Sequence, residues 1–244
     1  MKRAWAAALV LALAPLALAD WSDGFETYDP GPIAGHGGWQ GWGGDANATG
    51  FVTDAIARTG TKSQDVHGVS DSVHQYSGYT SGQWVYTAWQ YIPSNLTNKQ
   101  YFIMVNKYRD PSGPFNWSVQ LTFDPATGNL SADPGSNTPV VMPYVEDQWV
   151  RIQAFIDLNA DWVQVYYNNV LIDDPVLPGL GYQWTKGVFG ADTDGLLNIA
   201  AVDLYAGAPQ TPASTAVYYD DMSLAVPEPA TLALLGLLGL LRRR

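Results

Sequence analysis

Carboxylates are the side chains in this 244-residue chain most able to do chemistry, because cysteine is absent and a thiol nucleophile is therefore excluded. Cleaving a glycosidic bond takes two carboxyl groups, about 5–5.5 Å apart for retention or about 6.5–9.5 Å for inversion. Between the two chain ends the only glutamates are Glu26 and Glu146, one near the front and one beside Asp147 ahead of a strand. Both read as solvated turn or edge residues, so no catalysis is expected. His36, His67 and His74 lie in or beside Gly/Ser-rich segments without metal-ligand spacing, and no serine near them forms a nucleophile elbow.

Aspartate points instead to calcium, a hard cation that gathers several oxygen ligands. One candidate site joins Asp23 and Glu26 near the first strand to Asp220 and Asp221 near the last. A second is Asp192-Thr193-Asp194-Gly195, with alternating carboxylates and a turn glycine but without the other acids of a full calcium loop. Otherwise these are Asx turns and solvated strand ends. Trp39, Trp42 and Trp184 lie in loops beside glycine, where an open aromatic face can stack on a sugar ring. Plugging the sandwich is the competing use for Trp39 and Trp42. Tryptophans in apparent strands (Trp84, Trp89, Trp117, Trp149, Trp162) are expected to pack between sheets.

Elements able to hold such groups are strands. From Asn116 to Phe123, Trp117, Val119, Leu121 and Phe123 alternate with polar residues, the mark of a sheet with one wet face. Residues 149–156 alternate likewise, and 84–92, 101–105, 163–172, 198–205 and 217–224 are β-branched or aromatic runs bounded by turn residues. Asp157 to Asp161 and Asn168-Asn169 read as hairpin turns. Seven glycines between Gly31 and Gly44 leave room only for an ordered loop or short edge segments over 30–50.

Both chain ends read as addresses. Lys2 and Arg3 precede an apolar run from Ala4 to Leu18 that ends in Ala17-Leu18-Ala19, so signal peptidase is expected to cut after Ala19. At the other end Pro227-Glu228-Pro229 leads into the apolar run Ala230 to Leu241 and then Arg242-Arg243-Arg244. Twelve apolar residues would span roughly 18 Å as a helix, short of the about 30 Å hydrocarbon core, and three arginines would stay cytoplasmic. A transient stop-transfer helix fits. This tail resembles the sorting signal of PEP-CTERM proteins, and the resemblance implies export in a Gram-negative bacterium, transient inner-membrane retention, cleavage by an exosortase near Pro227–Pro229, and delivery to the surface or an exopolysaccharide matrix.

The expected organisation is therefore a signal peptide at 1–19, one β-sandwich domain at 20–225 and a sorting signal at 226–244. Without the ends, 7 basic residues face 22 acidic ones, a net charge of −15 that argues against nucleic acid or an anionic membrane as partner and suits neutral glycans or calcium. Lacking disulfides, the exported body must hold together by its core or by metal. Sequons at Asn47, Asn95, Asn116 and Asn129 read as coincidences in a bacterial chain.

The segment Asp147-Gln148-Trp149-Val150-Arg151-Ile152, followed by Phe155-Ile156-Asp157-Leu158 and Val163-Gln164-Val165-Tyr166-Tyr167-Asn168-Asn169, resembles the central meander of concanavalin A-like lectin/glucanase sandwiches. Asp23 to Tyr28 and Tyr218 to Leu224 resemble the first and last strands of exported jelly rolls. The resemblance implies an all-β, antiparallel jelly-roll sandwich. Glucanases of that superfamily carry Glu-x-Asp-x-x-Glu on one strand, and this chain has no such motif. The function implied is a non-catalytic surface or matrix protein that interacts with carbohydrate. The alternatives are a diverged polysaccharide hydrolase or lyase using Glu26 or Glu146, and a purely structural protein.

Overall fold

The computed structural model describes residues 19–132, 139–172, 181–185, 196–207 and 215–228. Most of the signal peptide, Ala17 included, falls outside them, as do Asp192, Asp194, Pro229 and Arg242 to Arg244.

The chain first lays down short strands in its glycine-rich front: β1 (Ala19–Asp23), β2 (Gly31–Pro32), β3 (Trp39–Gly41), β4 (Phe51–Thr53), β5 (Ser63–Val66) and β6 (Asp71–Gln75). Longer strands follow, β7 (Gln83–Tyr91), β8 (Gln100–Lys107), β9 (Asn116–Asp124), β10 (Asn129–Ala132), β11 (Val140–Pro143) and β12 (Trp149–Asp157). The last are β13 (Trp162–Tyr167), β14 (Val170–Ile172), β15 (Tyr182–Gln183), β16 (Ala201–Ala206) and β17 (Val217–Ala225). All pairings among the described residues are antiparallel, and they form the two sheets of a jelly-roll sandwich. One sheet of ten runs β14-β13-β12-β7-β17-β5-β4-β2, with β1 on β17 and β15 on β13; the other, of seven, runs β11-β10-β9-β8-β16-β6-β3.

Two-residue alternation decides which side chains face inward. Val150, Ile152, Ala154 and Ile156 of β12 meet Phe102, Met104, Val119, Leu121 and Phe123 of the other sheet in one core. The Asn168-Asn169 turn closes β13 onto β14 with φ of 48° and 63°, as its composition predicts. β17 changes parity in the middle. Val217 and Tyr219 point inward, then a bulge at Asp220-Asp221, with Asp221 at φ 45°, brings Met222 and Leu224 inward as well.

Terminal strands β1 and β17 lie side by side, Asp23 opposite Met222. The expected first strand at Asp23 to Tyr28 is displaced, because β1 ends at Asp23 and the chain turns at Phe25, whose N–H is taken by the Asp23 carboxylate at 2.8 Å. The tryptophans of the strands also depart from expectation. Trp84 packs on the core, but Trp89, Trp149 and Trp162 alternate out of phase with the buried positions of their strands, and Trp117 belongs to a separate apolar cluster.

Candidate functional site

That separate cluster lies on the outer face of the seven-stranded sheet. In β8, Phe102 and Met104 enter the core, so Tyr101, Ile103 and Val105 face out. In β16, Val202, Leu204 and Ala206 enter the core, and Asp203 and Tyr205 stand on the opposite side. Register aligns them in rows: Val73, Asp203, Ile103 and Gln120 across β6, β16, β8 and β9, then Asp71, Tyr205, Tyr101 and Thr122. The result is a groove of 610 Å³ lined by Trp42, Asp71, Tyr101, Ile103, Phe115, Trp117, Gln120, Asp203 and Tyr205.

Aromatic rings build its two walls. Trp42 stacks near-parallel on Trp117, centroids 5.8 Å apart and planes at 21°, and Phe115 leans on Trp42 at 4.6 Å. Tyr101 and Tyr205, neighbours across the strands, face each other at 5.3 Å. Trp42 is carried on a 3-10 turn, Trp42–Gly44, fastened where the Gly43 N–H donates to the Tyr108 hydroxyl at 3.0 Å. Gly41 makes that turn possible, because a Cβ there would sit 1.9 Å from the Asp45 carbonyl oxygen. Gly41→Ala is expected to lower stability by about 1–3 kcal/mol through overpacking and to displace Trp42. An unchanged urea midpoint would contradict this.

On the floor, Asp71 and Asp203 are diagonal neighbours across β6 and β16, their carboxyls within hydrogen-bonding reach of each other. Burial pushes Asp71 up to about 6, and burial together with the Asp71 charge drives Asp203 well above the usual carboxylate range. Each has a buried Oδ1 with no donor from the rest of the protein. No lysine, arginine or histidine is among the described residues that line the groove.

The three loop tryptophans part company. Trp42 lines the groove. Trp39, 1% exposed, and Trp184, 0% exposed, are core residues, so their expected open faces are corrected: the indole N–H groups donate inside the protein, Trp39 to Asp23 Oδ2 and Trp184 to the Asn198 carbonyl, both at 2.9 Å. For Trp39, which opens strand β3, plugging is the outcome.

β1 and β17 lie side by side, but the oxygens of the terminal acids go to protein donors. Asp23 accepts from Phe25 N–H, the Tyr28 hydroxyl and Trp39. Asp220 takes the Arg58 and Thr59 amides, and Asp221 pairs with the Arg58 guanidinium at 2.5 Å and the Thr59 hydroxyl at 2.7 Å. Glu26 accepts from Thr61 and Lys62 amides, which hold its carboxyl below the usual range. A calcium ion there would have to displace these donors. Among the described residues no group of three or more His, Asp or Glu is placed to hold a metal.

Glu146 lies just ahead of β12 and, like Glu26, does not line the groove. His74 is buried against Trp21 and Trp39 and shares a 3.0 Å hydrogen bond with the Gly37 carbonyl, and burial lowers its proton affinity. Asp71 and Asp203 were not singled out by sequence reasoning. The signal for Asp203 was present, a polar residue between Val202 and Leu204 in an apolar strand; β6, reading Asp-Ser-Val-His-Gln, carries too little apolar alternation to be recognised.

Residues 225–244 match the PEP-CTERM protein-sorting motif. That motif marks an exosortase-processed protein sorted to the cell surface or extracellular space. A search of the curated proteins finds no match to this chain. Among solved structures, the fold is similar to "Cellulose induced protein, Cip1" (TM-score 0.53, 16% identity, covering 85% of this chain and 98% of that one). It is also similar to a "Sialidase" (TM-score 0.52, 12% identity, 86% of this chain) and to the Trypanosoma rangeli sialidase (TM-score 0.50, 10% identity, 82% of this chain). This chain spans only 19% and 30% of those two sialidase chains. Such likeness, at these identities, is one of fold: a β-sandwich.

Proposed function

We propose that this protein is a non-catalytic, carbohydrate-binding component of the surface or matrix of a Gram-negative bacterium. In this reading signal peptidase cuts after Ala19, the tail retains the chain transiently in the inner membrane, and an exosortase removes it near Pro227–Pro229. The observation that carries the binding function is the aromatic-walled groove of the seven-stranded sheet, where Trp42 and Trp117 on one side and Tyr101 and Tyr205 on the other flank two carboxyls and Gln120. Aromatic faces stack on the apolar faces of sugar rings, and a few convergent polar groups fix hydroxyls.

Glycoside hydrolysis by this pair is disfavoured by the same geometry. Asp71 and Asp203 touch, closer than the about 5–5.5 Å that even a retaining glycosidase needs between its carboxyl groups. Trp42→Ala should weaken retention on the polysaccharide that the wild type binds by about tenfold or more, the loss of one stacking ring, with little change in denaturation midpoint. Affinity electrophoresis against a panel of neutral and acidic polysaccharides measures both forms. Failure of the wild type to be retarded by any of them would leave a purely architectural protein.

A further inference from the structure

The Asp71–Asp203 pair has an unusual setting. Two carboxyls on adjacent strands meet side by side, each with one buried oxygen that receives no donor, in a groove lined by no cationic side chain among the described residues. A single proton held between the two carboxyls removes a like-charge contact that two ionised groups could not sustain. We propose that Asp71 and Asp203 hold one proton in common and that this pair makes the groove a receptor for uncharged glycans, closed to uronates. The inference rests on the carbohydrate reading of the groove and names its ligand class.

The surroundings leave the proton as the neutraliser. Beside the pair, β6 offers Val73, β16 offers Tyr205, β8 offers Tyr101 and Ile103, β9 offers Gln120 and Trp117, and the loops offer Trp42 and Phe115. The charged groups nearest these elements are engaged elsewhere. Lys99 is paired with Asp124 at 2.9 Å, Lys107 lies at the far end of β8 opposite Asn116, and Asp110 is bound by Gln40 and Gln75. Tyr219 senses the Asp203 charge from the other sheet but brings no positive charge. Burial of both carboxyls favours their protonated forms, in keeping with a shared proton at neutral pH.

The singly protonated pair offers sugar hydroxyls acceptor oxygens, and it retains one negative charge. A uronate carboxylate entering the groove would meet that charge with no cation to screen it, and like-charge juxtaposition is a strong means of rejecting a wrong partner. The body's net charge of −15 acts in the same direction.

The test uses the mature protein and two probes of matched length and linkage, a neutral β-glucan oligosaccharide and its glucuronate counterpart, in calorimetric titrations at pH 7 with and without EDTA. Wild type is expected to favour the neutral probe by about tenfold or more, and the double variant Asp71→Asn/Asp203→Asn, which keeps the shape of both side chains and removes the charge, to bring the two probes within about threefold. Carboxyl carbon-13 NMR of the unliganded wild type reads the proton directly and does not depend on a folded variant. It should show one retained proton for the pair at pH 7. Equal binding of both probes, two ionised carboxylates at pH 7, or binding abolished by EDTA would each overturn the proposal. A singly protonated pair with no binding of either probe would overturn the carbohydrate reading, and the selectivity with it.

Discussion

Trp39→Ala is expected to cost about 3–5 kcal/mol, the range for truncating a fully buried aromatic side chain. The ring is 1% exposed and packs against Phe25 at 5.9 Å, His74 at 5.3 Å and Trp21 at 6.4 Å. Its N–H is one of three donors converging on Asp23, together with Phe25 N–H and the Tyr28 hydroxyl, so the residue ties β3 to the turn that follows β1. Trp39→Phe should cost less than the alanine variant, since it keeps most of the volume and loses one hydrogen bond worth about 1 kcal/mol net. Urea denaturation of the mature domain measures both. A loss under about 1 kcal/mol for Trp39→Ala would contradict the packing described.

Rising pH is expected to destabilise the wild type relative to Asp203→Asn. A carboxyl whose proton affinity is raised by folding makes the native state bind more protons than the unfolded chain, so stability falls as pH climbs. For Asp71 the window opens near 3.8 and extends through about 6, and for Asp203 it continues higher. Each tenfold change in proton affinity is worth about 1.4 kcal/mol, so Asp71 contributes on the order of 3 kcal/mol in both proteins, and the difference between them reads Asp203. Glu26, Asp124 and Asp147 are held below their usual range by their donors and by Lys99. They finish ionising below this window, whereas Asp220, raised by burial, and His67 and His74 titrate within it in both proteins and cancel in the comparison. Denaturation midpoints at pH 4, 6 and 8 for both proteins should diverge steadily. Parallel curves would mean that folding does not raise the proton affinity of Asp203.

Long strands of this fold are legible in the sequence because one of their faces is dry: β12 and β13 alternate cleanly and lie where the alternation places them, and β9 does so from Val119 to Phe123, whereas a register irregularity at its start turns Trp117 to the outer face. The shift of parity within β17 hides in the pattern, since Val217, Tyr219, Met222 and Leu224 are all inward only because a bulge consumes one residue between them. Short strands β5 and β6 escape notice because their polar residues, Gln64 and Ser72 among them, are buried by bonding to each other at 2.6 Å rather than by apolar packing. The candidate site suffers from the same cause. Glutamates draw attention as glycosidase groups, but the buried carboxyls here are aspartates brought together by strands 130 residues apart, a pairing that only register reveals.

The position of the last strand matters for how the body is handed over to the sorting machinery. β17 is a central strand, bonded to β7 along one edge and to β5 and then β1 along the other, and the sorting motif takes over at its final residue, Ala225. Val226, Pro227 and Glu228 continue over the ten-stranded sheet beside Arg151, Gln153 and Phe155. Three extended residues reach only about 10 Å. A processing enzyme gripping the motif thus works almost against a finished wall, and any pull on the tail is transmitted into the middle of the sheet as shear across several ladders at once. The domain behaves as a stopper knotted close to the end of its own cord.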